Sequence, residues 1–189
     1  LVEQLLVNSG RFAAPGELRD LEAALAAAGG GAMPGRLDAD SVPDLDDRAL
    51  SQAGKEYLDR ITSRVGSERR VIDKNPFNFR FIGPVLQAVP GARIIHVRKE
   101  PLEAVFSVYR HLFSSVAPWS YTLDEVLAYY RLYAGLMKHW QSLYPDRILT
   151  VEHESLVRDV NASGQRLYEH CGLQWQPQQP LRPRTDYEI

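Results

Sequence analysis

The sequence predicts an α/β fold, a mostly parallel sheet with helices on both faces. Two observations carry this. Three short runs with strand character, RRVID (69–73), ARIIHV (92–97) and RILTVEH (147–153), are separated by stretches whose apolar residues recur every three to four positions. Strands that alternate with helices need crossover connections, and crossovers make parallel pairs. With 189 residues, 44% of them hydrophobic, the chain has enough apolar material for one such layered domain over its whole length.

Taken in order, residues 1–8 and 17–28 have helical character, the second rich in alanine and leucine and stopped by Gly29, Gly30 and Gly31. Residues 29–46 have the glycine, proline and aspartate content of an exposed loop. A helix is expected from Asp47 to Val65, with Leu50, Tyr57, Leu58, Ile61 and Val65 on one face. RRVID reads as a short buried strand. Pro76 suits a helix start, and the Gly83-Pro84 pair should break or kink the segment after it. A helix over 101–114 would place Val105, Val108, Tyr109 and Leu112 together. The longest helix should run from Leu123 to Tyr144, because Leu123, Val126, Tyr130, Tyr133, Met137 and Trp140 keep a three-to-four spacing. Short helices are expected over 154–159 and 161–171. The chain opens on LVEQLLVNSG without a methionine and ends at RPRTDYEI, so it is expected to be a piece of a longer protein, truncated at both ends.

Composition narrows the function. A formal net charge of −2 argues against a general nucleic-acid or membrane-surface binder, so affinity for an anion must be local. No apolar stretch reaches spanning length, and nothing resembles a signal peptide. Cys171 is the only cysteine, which excludes an internal disulfide and fits a reducing cytoplasm. The five histidines lack ligand spacing, so no metal is expected.

Two motifs carry candidate chemistry. In RIIHVRKEPLEAVFSVYRH, Arg98 and Lys99 stand where a strand hands over to a helix, with Ser107 inside that helix. Ligands of open parallel sheets gather at such handovers, and two cations, a helix amino terminus and a hydroxyl suit a phosphate. Solvated cations beside a packing serine would give the same sequence. In VIDKNPFNF a second strand ends in Lys74, before a proline. An ion pair with Asp73 would also explain that lysine. If the two strands are neighbours, their cations converge on one edge of the sheet.

Beyond these motifs, DKNPFNFRFIGPVLQAVPGARIIHVRKEP, YYRLYAGLMKHW, VEHESLVRD with CGLQWQP, and LVEQLL through PGELRDL together resemble the sulfotransferases that use 3'-phosphoadenosine-5'-phosphosulfate (PAPS). The similarity is greatest to bacterial sulfotransferases attached to tetratricopeptide repeats and to tyrosylprotein sulfotransferases. The resemblance implies a P-loop-type sulfotransferase fold, a hydroxyl-bearing acceptor, no metal, and an upstream repeat region. It places Lys99 and Ser107 on the 3'-phosphate, with Lys99 where arginine is usual. Arg98 next door either compensates or, if the strand alternates strictly, points away. It places Lys74 near the transferred sulfuryl group, Glu17 as general base, and Arg19 beside it at the substrate. Glu17 would equally suit a helix's first turn, where the dipole favours an acid. Phe77, Phe79, Trp119 and Tyr121 suit an acceptor cleft or core packing. The family's glycine-rich phosphosulfate loop falls before Leu1, so this stretch alone is expected to bind donor poorly. Two other readings stay open. A P-loop nucleotide kinase would show a GKS or GKT triplet and a metal-binding acid, and neither is present; a non-catalytic interaction domain would keep only the fold.

Overall fold

A computed structural model describes residues 1–29, 45–67, 69–111, 113 and 117–175. Its elements are α1 (Val2–Asn8), β1 (Phe12–Ala13), α2 (Asp20–Ala28), α3 (Asp47–Val65), β2 (Arg70–Val71), a 3-10 turn (Asn78–Phe81), α4 (Ile82–Ala88), β3 (Ile94–Arg98), α5 (Pro101–Arg110), a second 3-10 turn (Pro118–Ser120), α6 (Leu123–Leu143), β4 (Ile148–Glu152), α7 (His153–Arg158) and α8 (Val160–His170). All strand pairing among the described residues is parallel. β1 pairs with β2, Phe12 opposite Arg70 and Ala13 opposite Val71, and the Ile72 amide extends the ladder by donating to the Ala13 carbonyl at 2.9 Å. β3 pairs with β4 from Ile94 opposite Ile148 to Arg98 opposite Glu152. The ladders share a core, since Ile72 and Ile95 pack against the cluster that contains Phe12.

This topology corrects one expectation. The two cation-tipped strands, β2 and β3, are not paired with each other; each has a different parallel partner. The partner of β2 is β1, a strand of two residues between turn formers, too short for any alternation to register. RRVID is also less buried than expected, with Arg70 exposed and Val71 half-buried.

Local chemistry explains the helices. Asp46 caps α3 by accepting from the Ala49 amide at 2.7 Å, satisfying one of the open donors of its first turn. Its buried face, Leu50, Ala53, Gly54, Tyr57 and Ile61, shares a core with Leu21, Ala24 and Leu25 of α2. Leu58 is rotated off that face and is 45% exposed. Gly54 is required, because a Cβ there would sit 1.9 Å from the Ala88 carbonyl oxygen of α4. Thr122 caps α6 through the Glu125 amide at 3.3 Å, and Val126 and Met137 are its buried residues.

Other expectations change. Gly83-Pro84 lies inside the first turn of α4 and does not break it, since proline is tolerated where the amide has no intrahelical acceptor. The glycine there admits Trp140, whose ring atoms lie 2.7 Å from where a Cβ would be. α2 starts at Asp20, so Glu17 lies ahead of the helix and not in its first turn. α5 ends at Arg110 and buries Val105, while Tyr109 is exposed. Leu112 and residues 30–44 of the expected loop lie outside the described residues. Among the described residues no helix is long and apolar enough to cross a membrane.

Candidate active site

Because β1 and β2 run parallel, their carboxyl ends open on the same side, and the segments after them lie together. Asn75 fastens the two by donating its side-chain amide to the Leu18 carbonyl at 3.2 Å, while its oxygen accepts from the Phe77 amide at 2.9 Å. Gly16, at φ +96°, turns the chain in a conformation that side chains disfavour, and Glu17 comes next. The result is direct contact between two predicted site residues: Lys74 Nζ donates to Glu17 Oε1 at 2.5 Å, with the side chains 52% and 55% exposed. The alternative pairing of Lys74 with Asp73 is not formed.

Asp73 is instead a support. It accepts from the Tyr57 hydroxyl at 2.8 Å and from the Asn78 amide at 3.0 Å. Burial pushes the Asp73 carboxyl above the usual carboxylate range, and these two donors partly offset it. Burial, and then the charge of Asp73, push the Tyr57 hydroxyl up as well, which keeps it a neutral donor to Asp73. On the other side of Glu17, a cleft of about 320 Å³ is lined by Glu17, Leu18, Arg19, Asp20, Ala23 and Arg64. Asp20, 9% exposed, holds Arg64 by a two-pronged ion pair at 2.8 and 3.0 Å, which fixes that wall.

A second cleft, of about 400 Å³, lies along α5 and is lined by Lys99, Glu103, Phe106, Ser107, Arg110 and His111. Lys99 and Ser107 therefore line one cleft. Arg98 does not join them. It lies opposite Glu152 across the β3–β4 ladder and is bound to it at 3.1 Å through Nε and 2.6 Å through Nη2. The helix amino terminus is taken too. Glu100 accepts from the Leu102 and Glu103 amides at 2.8 and 3.3 Å, and its own amide donates to Glu154 at 3.1 Å, which holds the Glu154 carboxyl below the usual carboxylate range. Of the expected two cations and open helix amides, Lys99 lines the cleft with Ser107, joined by Arg110 at the end of α5 and by His111 just after it. Arg110 stands three residues after Ser107, a spacing that puts both on one helical face, so its place was readable in principle.

The aromatic residues divide. Trp119 stacks on Tyr129 at 3.6 Å, and Phe79 meets Tyr129 and Tyr133 edge-on at 6.3 and 5.2 Å, so both serve packing. Phe77 lies under the Arg80 guanidinium at 5.3 Å, and the Tyr121 hydroxyl donates to the Phe113 carbonyl at 2.9 Å. Among the described residues no group of three or more His, Cys, Asp or Glu is placed to hold a metal ion.

Comparison with known proteins covers nearly the whole chain: the family model described as sulfotransferase family matches residues 1–177. The chain belongs to the sulfotransferase family. Two relatives match part of this member of the family. An uncharacterized protein of Aquifex aeolicus is 26% identical over 140 residues, which is 72% of this chain and 18% of the relative. An omega-hydroxy-beta-dihydromenaquinone-9 sulfotransferase of Mycobacterium bovis is 31% identical over 130 residues, 63% of this chain and 33% of the relative. The chain thus spans a third or less of the length of either. No solved structure gives a significant match.

Proposed function

We propose that this chain forms the transfer site of a PAPS-dependent sulfotransferase that acts on a hydroxyl acceptor. The observation that carries the reading is the 2.5 Å contact of Glu17 with Lys74 at the open end of a parallel strand pair. A carboxylate and an ammonium at one point are what a proton-coupled displacement needs: one group to take a proton, one to meet the charge of the leaving oxygen. The second cleft suits the donor's 3'-phosphate, since a cation, Lys99, and a hydroxyl, Ser107, both line it.

PAPS supplies the sulfuryl group. Glu17 takes the acceptor's hydroxyl proton as the acceptor oxygen forms its bond to sulfur. The bond from sulfur to the 5'-phosphate oxygen breaks in the same displacement, and Lys74 donates to that oxygen as charge gathers there. Arg19, on the wall of the Glu17 cleft, orients the acceptor. The ion pair must open for both groups to act. Half-exposed pairs are worth about 0–1 kcal/mol, so opening it is a small part of any barrier.

The test is thermal melting of the full-length protein with adenosine 3',5'-bisphosphate and, separately, with ATP and magnesium. A ligand at about a hundred times its Kd adds roughly 2.7 kcal/mol, or about 5–11 °C for a domain of this size. A shift with the bisphosphate alone supports the proposal. A shift with ATP alone favours a kinase-like enzyme, and none with either favours an interaction domain.

A further inference from the structure

We infer that Arg110 supplies the guanidinium that holds the nucleotide's 3'-phosphate together with Lys99 and Ser107. This rests on reading the α5 cleft as the 3'-phosphate site. A phosphate monoester near neutral pH carries close to two charges and presents three acceptor oxygens, more than one lysine can meet. Two other sets of donors nearby are committed. Arg98 spends two of its nitrogens on Glu152, and the first amides of α5 are capped by Glu100.

Arg110 is placed differently. It lines the same cleft as Lys99 and Ser107, one turn along α5 from the serine. Its guanidinium carbon lies 5.6 Å from the centre of the Phe106 ring, and Phe106, on the cleft wall, is 57% exposed. A cation–π contact with the ring steadies the guanidinium without giving its N–H groups a hydrogen-bond acceptor, so the fork is left to bind. Among the described residues, neither Lys99 nor Arg110 forms an ion pair. Lysine contributes a point charge and Arg110 the two-pronged geometry that lysine lacks. Glu103 on the same wall opposes an anion, which makes it a second handle on the site.

Isothermal titration of the full-length protein with adenosine 3',5'-bisphosphate, and with adenosine 5'-phosphate as the ligand lacking the 3' group, tests this. Arg110→Ala should weaken the bisphosphate by about ten- to a hundredfold, the range of a hydrogen bond to a charged group, and leave the 5'-phosphate unchanged. Arg110→Lys should recover part of the loss, Glu103→Gln should tighten the bisphosphate, and Arg98→Ala should not weaken it. If Arg110→Ala binds the bisphosphate like the parent while Lys99→Ala does not, the inference is overturned and the cleft reading survives. If neither substitution matters, or the parent does not bind the bisphosphate, both fall. Melting temperatures identify any variant that fails to fold, in which case Arg110→Lys, which keeps the aliphatic stem, decides: an unchanged preference for the bisphosphate over the 5'-phosphate would overturn the assignment.

Discussion

Glu17→Gln separates a catalytic carboxylate from a structural one. The substitution keeps the size and one oxygen but removes the proton acceptor and the charge that meets Lys74. Its structural cost can be worked from the geometry: the pair is short, at 2.5 Å, yet both side chains are more than half exposed. Water screens such a pair to about 0–1 kcal/mol, and each kcal/mol moves the melting temperature of a domain of this size by about 2–4 °C. The catalytic cost is on another scale. Losing a general base slows turnover by about a hundred- to ten-thousandfold, equivalent to roughly 3–5 kcal/mol of barrier. The assay is release of adenosine 3',5'-bisphosphate from PAPS by the full-length protein, with phenols, primary alcohols, sugars and tyrosine peptides as acceptors, beside melting curves. Turnover should collapse while melting shifts by a few degrees at most. Parent-like turnover with any acceptor that the parent uses would refute the base assignment.

The same geometry sets three further outcomes. Lys74→Ala should lower turnover by about a hundred- to a thousandfold, the effect of removing one preorganised donor to developing charge, and leave affinity for the bisphosphate nearly unchanged by titration. Gly54→Ala would set a Cβ 1.9 Å from a backbone oxygen that cannot swing away, so it should destabilise by about 1–3 kcal/mol or more in urea melts; a parent-like midpoint would contradict the α3–α4 contact. Acid should destabilise the fold through His96, whose pKa is lowered by burial and then by the charge of Arg98; its ring nitrogens are bonded to Thr150 at 3.3 Å and to the Tyr133 hydroxyl, itself pushed up to about 12 mainly by burial. The unfolded chain protonates first, near pH 6.5, so this stability is full above that pH and is lost as pH falls through the lower folded value. His170, lowered by burial, adds a change of the same sign. Urea midpoints between pH 7.5 and 5.5 should fall less steeply in His96→Asn than in the parent; equal slopes would remove His96 from the account.

Local patterns were the legible part of the sequence. The long periodic runs gave α3 and α6 to within a residue or so, because their apolar faces repeat over many turns. β1 was invisible because two residues carry no period. Leu58 and Gly83-Pro84 were misread because the first depends on how α3 rotates against α2 and the second on a first-turn position. At the candidate site, the resemblance named Glu17 and Lys74 from separate motifs, but their contact spans 57 residues of sequence and needs the β1–β2 pairing to bring it about. Arg98 shows the reverse case. Its sequence position beside Lys99 suggested a shared ligand, while its actual partner, Glu152, lies 54 residues away across a ladder that no local pattern announces.

Transfer of radiosulfur from labelled PAPS to hydroxyl acceptors by the full-length protein tests the central claim most directly. The account predicts label in at least one acceptor, with adenosine 3',5'-bisphosphate formed in equal amount, and loss of that transfer in Glu17→Gln and in Lys74→Ala. Label that reaches the acceptor at the parent rate in both variants would contradict it, as would a protein that binds the bisphosphate yet moves label to none of the acceptors.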